Sequence, residues 1–411
     1  MDSIASVKSY LFEKGIISDF NLFQKIITKK TWENRDSIFN WAEASSKKVN
    51  TIDDYEKSTN HENNTQKKGY LLKKKIEEKY LNLYETKKHI RILIHLPPSN
   101  VSPGGNSLFS NMIESLNFIG ISTKEYQWCD NLNQILTEFK PTIFLTSDHH
   151  SYLNRIDWNS ISKYKQKYSL KIGLTASLEE QGNTPLADRL KWAKKTNVDF
   201  YYSFQNPQYF NTLEAYKPFL DAGYSIYSIE FGVNPLHYYP LPAPQKDLNY
   251  VFLASSNPDK WNRYFRYLPR IFTKYPGFIN GPGWRNDNKL PFNPDRDRYI
   301  YSRGKIGINL HIDESINYPC ELNERTYMLA ACGIPQLVDN PKLISTYFNK
   351  DCCFIGKTPE EYFELFEYIL DNPDEGDKRA SESVKQVFMN YTTFHRAESF
   401  VLQLSKELNR E

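Results

Sequence analysis

The chain has 411 residues, of which 40% are hydrophobic and 25% charged, with a formal net charge of +3. That length suits two or three domains with real cores. The near-neutral balance argues neither way on nucleic acid, but no clustered basic stripe is present, so no nucleic-acid partner is expected. The five cysteines, Cys129, Cys320, Cys332, Cys352 and Cys353, are odd in number and form no C-x-x-C pair. With no hydrophobic leader, they point to a reduced, cytoplasmic protein. No apolar run approaches the ~20 residues that cross a bilayer.

Residues 1–45 show helical patterning (Val7, Tyr10, Leu11, then Phe20, Phe23, Ile26, Ile27, later Ile38, Phe39, Trp41). From about 45 to 68 the chain turns polar, with almost nothing to bury, and reads as a linker. Tyr70 to Lys88 resumes as a charged helix; it either packs on its own domain or offers residues 1–88 to a protein partner or membrane surface. At His89 the period changes. Ile90–Leu96 is a continuous apolar run suited to a central parallel strand. A Pro-Gly loop containing Gly104 and Gly105 follows, then an amphipathic helix (Leu108, Met112, Leu116). Further strands are expected at Thr142–Thr146, Lys171–Thr175, Asp199–Phe204 and Ser225–Ile229. Strand, glycine loop and helix in this spacing open a doubly wound α/β domain.

The proline-dense run 232–244 marks a domain crossing. A second series begins with strand Tyr250–Ala254, helix Asp259–Lys274 and strand Phe278–Asn280. Lys305 to Asp339 then reads strand, polar loop, helix, Gly-Pro turn, strand and a bare acid at the strand's exit. A buried strand feeding a helix with a polar N-terminus is a natural phosphate site, because free backbone N–H groups and the helix dipole converge there. Strand Cys353–Ile355 and helix Pro359–Leu370 complete the series. The expected domains are a helical extension (1–88), two Rossmann-like domains (89–244 and 245–390) and a final helix, 391–411, crossing back to the first. Two such halves leave a cleft at the carboxyl ends of their strands, where ligands bind.

Six ordered motifs carry a resemblance: Asn280-Gly-Pro-Gly-Trp284, Lys305-Ile-Gly-Ile-Asn309, Leu322-Asn-Glu-Arg325, Ala331-Cys-Gly333, Leu337-Val-Asp339 and Asn390-Tyr-Thr-Thr-Phe-His-Arg396. In them residues 248–400 resemble the C-terminal half of the CgeB-like (spore-maturation) glycosyltransferases of the GT-B class. Residues 89–240 match in architecture alone, and residues 1–88 match nothing of that family. The resemblance implies a cytoplasmic, metal-independent enzyme without a cofactor. It would move a hexose-type sugar from a UDP- or GDP-type nucleotide sugar to a hydroxyl on a glycan, lipid-linked sugar or protein.

It also implies roles. Arg263 and Lys260, on the helix after the first strand of this half, would meet the diphosphate, and Asn323 and Arg325 would complete the cradle. Gly281 and Gly333 belong to the donor motifs. Relatives usually place a glutamate five residues before the glycine of Ala-Cys-Gly to hold the ribose; here Met328 stands there. Glu324 or Glu321 would take over, or the chain is a non-catalytic partner subunit with a degenerate site. In the first half, Asp148 or His149 after the strand Thr142–Thr146 could deprotonate the acceptor, with Glu179 and its neighbour Glu180 as a second candidate base. A retaining enzyme would need no strong base. Gly104 and Gly105 would let the loop backbone approach a ligand closely.

Overall fold

The computed structural model describes residues 20–57, 65–176, 185–212, 216–242, 245–284 and 293–409. Two compact units emerge, one comprising residues 77–234 and the chain from Thr393 onward, the other the described residues up to Ile76 and 235–392.

The first unit is built on six parallel strands, β1 (Arg91–His95), β2 (Ser122–Tyr126), β3 (Ile143–Ser147), β4 (Lys171–Thr175), β5 (Phe200–Ser203) and β6 (Ile226–Ser228). They lie in the order β2-β1-β3-β4-β5-β6. β3 is buried at every position, as expected of a central parallel strand covered on both faces. β2 was not expected from the sequence. It is an edge strand, buried only at Thr123 and Tyr126, so its polar sequence lacks the apolar run that identifies the others. At the opposite edge, Gln403 of helix Thr393–Leu408 accepts from the β6 backbone at Ser228 N (3.1 Å) and donates to Ser228 O (3.0 Å). One amide side chain thus occupies backbone groups that an edge strand would leave unpaired.

The second unit holds β7 (Val251–Leu253), β8 (Phe278–Asn280), β9 (Gly307–Asn309), β10 (Gln336–Val338) and β11 (Phe354–Ile355), in the parallel order β11-β10-β9-β7-β8. Helix Phe20–Ile26 belongs to its core: Phe20 stacks on Trp261 at 5.1 Å and Phe23 meets Phe265 edge-on at 5.3 Å. Arg35 donates to Asn280 Oδ1 at 2.7 Å. The N-terminal helices therefore fold with residues 235–392, and their apolar periodicity is the imprint of that contact.

Several local expectations change. The polar stretch 45–68 contains helix Ile52–Lys57, whose Tyr55 is fully buried, stacks on Tyr70 at 4.4 Å and donates to Pro240 O. One aromatic ring supplies the burial that the composition concealed. The expected helix 259–274 is a 3-10 turn (Pro258–Lys260) and two short helices, Trp261–Tyr267 and Pro269–Lys274; Pro269 cannot continue the first and starts the second. Gly104 and Gly105 lie in the first turn of helix Pro103–Phe118, not in a loop, because Pro103 is suited to the first helical turn.

Candidate active site

At the carboxyl ends of β7, β9 and β10 a polar network fixes the tip of helix Glu324–Ala331. Asn323 caps this helix, its Oδ1 accepting from Thr326 N at 3.1 Å. Its amide nitrogen donates to Asn309 Oδ1 (2.9 Å) and Leu310 O (3.1 Å). Asn309, the last residue of β9, donates in turn to Thr326 Oγ1 and Gln336 Oε1, both at 2.9 Å. Arg325 points back under the strands, its Nε donating to Leu253 O at 2.7 Å while its guanidinium lies over Phe252.

Asp339 is the hub beyond β10. It is fully buried and accepts from the His311 ring (2.7 Å), the His311 backbone N–H (2.9 Å) and Arg263 Nε (3.1 Å). Burial opposes its ionisation, but His311 and Arg263 outweigh it and hold the carboxyl below the usual range. Burial also lowers the His311 pKa against the pull of Asp339, whose carboxylate accepts from its Nδ1. Arg263 reaches a second acid, Asp313, at 3.3 Å and lies over the Tyr267 ring. The acid that the sequence shows bare is thus saturated with partners, and the arginine expected at a diphosphate already serves two carboxylates. Asp313 and His311 carry no motif of their own; their position, polar residues just past the end of β9, is the signal that could have found them.

Three ionisable side chains beside this network behave differently. Lys260, Glu321 and Glu324 are half-buried, yet none makes a side-chain hydrogen bond or ion pair with a described residue. Burial lowers the Lys260 ammonium to about 8, aided by the Arg325 charge and opposed by Glu321. Burial raises Glu321 to about 7 against the pull of Lys260. Glu324 is raised to about 7 by burial and by the Glu321 charge. Protein structures seldom leave such groups out of water without partners. This cluster has the donors and acceptors for a ligand carrying both negative charge and hydroxyls.

The raised carboxyls have a consequence for stability. A folded pKa above the unfolded value means that the folded state binds the proton more tightly, so stability falls as pH rises from about 4.5 to about 7. Glu324→Gln is expected to flatten that slope and to melt a few degrees above the wild type at pH 8.5, with little difference at pH 5. Thermal denaturation at the two pH values checks this.

Other expected site residues fall elsewhere. Asp148 is 2% exposed and accepts from Arg189 Nη1 at 2.7 Å, so its carboxylate anchors a buried arginine. His149 caps the one-turn helix His150–Leu153, its Nδ1 accepting from Ser151 N at 3.3 Å. Glu179 and Glu180 lie outside the described residues. Gly281 has φ +142°, and an added Cβ would stand 2.0 Å from Ala254 O; it lets the exits of β7 and β8 meet. Gly333, at φ +66°, ends the helix that carries Asn323 and Arg325. Met328 is half-buried one turn beyond Glu324. Among the described residues there is no group of three or more His, Cys, Asp or Glu able to hold a metal ion, and no helix long and apolar enough to cross a membrane.

Residues 264–401 match the family model described as Glycosyl transferase-like. That stretch is a glycosyl transferase-like domain. It takes in β8 to β11, the capped helix, Glu321 and Glu324. Among solved structures, sucrose-phosphate synthase from Thermosynechococcus elongatus is similar at 12% identity and a TM-score of 0.50, over 78% of this chain and 99% of that one. HepE of Anabaena, solved with UDP and glucose, gives 10% identity and a TM-score of 0.47, over 77% of this chain and 100% of its own. The β-glucosyltransferase of phage T4, solved with UDP-glucose, gives 12% and 0.46, over 78% and 100%. No curated protein is matched by the sequence. The paired parallel sheets of Rossmann type are those of the GT-B glycosyltransferase fold.

Proposed function

We propose that the protein is a glycosyltransferase that moves a sugar from a nucleoside-diphosphate sugar to a hydroxyl acceptor, and that Lys260, Glu321 and Glu324 form its donor site. The observation that carries this reading is a trio beside a capped helix tip with no side-chain hydrogen bond or ion pair to a described residue, within or next to the glycosyl transferase-like stretch. The leaving diphosphate develops negative charge that fixed donors must stabilise. Lys260 supplies it, and the helix N-terminus adds its dipole. Glu324, or Glu321 before it, accepts the ribose hydroxyls in place of the glutamate that Met328 replaces. Asn323, Arg325 and Arg263 shape the site from beneath, each bonded to neighbours within the protein.

The positive charge of Lys260 supports a reaction without a divalent ion, with UDP or GDP as the carrier. The finer family reading is CgeB-like, supported by the six ordered motifs. The acceptor is a glycan, a lipid-linked sugar or a protein, and the setting is the cytoplasm. Met328 supports one other reading, a partner subunit that binds nucleotide without turnover. Purified protein incubated with a panel of UDP- and GDP-sugars, mixed acceptors and EDTA distinguishes them. Release of free nucleotide from at least one donor is expected. No release from any, with tight nucleotide binding, would favour the partner subunit, and neither release nor binding would remove both.

A further inference from the structure

In the unit built on β1 to β6, the exits of β1 and β2 hold two buried polar atoms with no hydrogen-bond partner among the described residues. His95 ends the strand and is fully buried. Its Nδ1 lies 2.9 Å from Thr146 Oγ1, while its Nε2 has no hydrogen-bond partner. Trp128, just past β2, adds a second orphan in its buried indole Nε1–H. The His95 and Trp128 rings are 6.4 Å apart, with Tyr126 at 5.0 Å and Tyr152 at 5.4 Å from the imidazole. A buried polar atom left unsatisfied costs about 1–3 kcal/mol, and two in one aromatic cluster is a pattern that calls for an explanation.

Charge narrows what could satisfy them. Burial pushes the His95 imidazole down to about 4, so the ring is neutral at physiological pH. Arg155 covers the Trp128 ring, its guanidinium 4.9 Å from the ring centre, while Asp130 and Asp157 act on Tyr126. Opposite charges offset one another around a neutral interior, which does not suit a phosphate. Aromatic faces with neutral ring nitrogens suit the C–H face and hydroxyls of a pyranose.

We propose that His95, Trp128 and Tyr152 form a subsite for a sugar ring, whose hydroxyls hydrogen-bond His95 Nε2 and Trp128 Nε1. Only the further step, that this ring is the acceptor, rests on the glycosyltransferase reading. Both nitrogens are covered, so a sugar reaches them by displacing Tyr152 or Trp128, the half-buried rings of the cluster. Tyr152 stands on the one-turn helix His150–Leu153, and its hydroxyl bonds Ser102. A Cβ on Gly105 would come within 2.7 Å of Ser102 Oγ and 3.2 Å of the Tyr152 hydroxyl, so a side chain there would crowd the Ser102–Tyr152 contact.

Saturation-transfer NMR of the full chain with glucose, galactose, mannose, N-acetylglucosamine, maltose and lactose, without nucleotide, tests the proposal. At least one sugar is expected to bind, and Trp128→Phe, which keeps a ring and loses the N–H, should weaken it about tenfold. That variant should melt no lower than the wild type, since the indole N–H has no partner to lose, and its UDP-induced melting shift should be unchanged. His95→Phe should likewise abolish sugar binding and spare the UDP shift. No binding of any sugar, equal binding by wild type and both variants, or unfolding of Trp128→Phe would overturn the subsite. Failure of the donor reading would show separately, as absence of a UDP shift in the wild type.

Discussion

Asp339→Ala should lower the stability of the unit built on β7 to β11 by about 3–5 kcal/mol, the cost of removing one partner from a buried ion pair. The carboxylate is fully buried and takes hydrogen bonds from His311 and Arg263. Without it, Arg263 keeps only the half-exposed Asp313, and the His311 Nδ1–H is buried without an acceptor. The strand exits of β9 and β10 would lose the link that holds them together. Asp339→Asn, which keeps an acceptor oxygen and loses the charge, should cost less. Denaturant unfolding followed by tryptophan fluorescence measures both; a loss below about 1 kcal/mol for the alanine variant would show that the network contributes little.

Lys260→Gln should reduce kcat/KM for the nucleotide sugar by about 10²- to 10³-fold, as expected when a fixed donor to a developing anion is removed, with little change in melting temperature. The lysine has no side-chain hydrogen bond or ion pair with a described residue to lose. Its role also sets a pH dependence. With the ammonium lowered to about 8, the free site must take up a proton to bind a diphosphate above that pH. Nucleotide affinity should therefore fall as pH rises from 8 to 9.5, by up to tenfold per unit, and the Gln variant should lack this fall. Unchanged kinetics in Lys260→Gln would move the diphosphate elsewhere.

The fold was largely legible because parallel strands covered on both faces leave continuous apolar runs, as at Ile92–Ile94 and Phe144–Leu145. β2 escaped notice because an edge strand needs few apolar residues. Tyr55 shows the complementary limit, one buried ring ordering a stretch whose composition reads as solvent-exposed. At the site, the helix tip and its polar residues could be named from the sequence, but not how they divide the work. Arginine and lysine look alike as phosphate ligands until partners are known. Arg263 is bound by Asp339 and Asp313, whereas Lys260 has no side-chain hydrogen bond or ion pair with a described residue. Asp148 likewise looked like a base at a strand exit, and only the fold brings Arg189 to it. His95 ended an apolar run as one polar letter and gave no sign of its unpaired nitrogen.

The most direct measurement is a crystal structure of the protein soaked with UDP, and separately with GDP, in the presence of EDTA. The account predicts one nucleotide with its diphosphate within hydrogen-bond distance of Lys260 Nζ and its ribose hydroxyls on Glu324 or Glu321. A nucleotide bound away from Lys260, or one seen only when a divalent cation replaces EDTA, would contradict it.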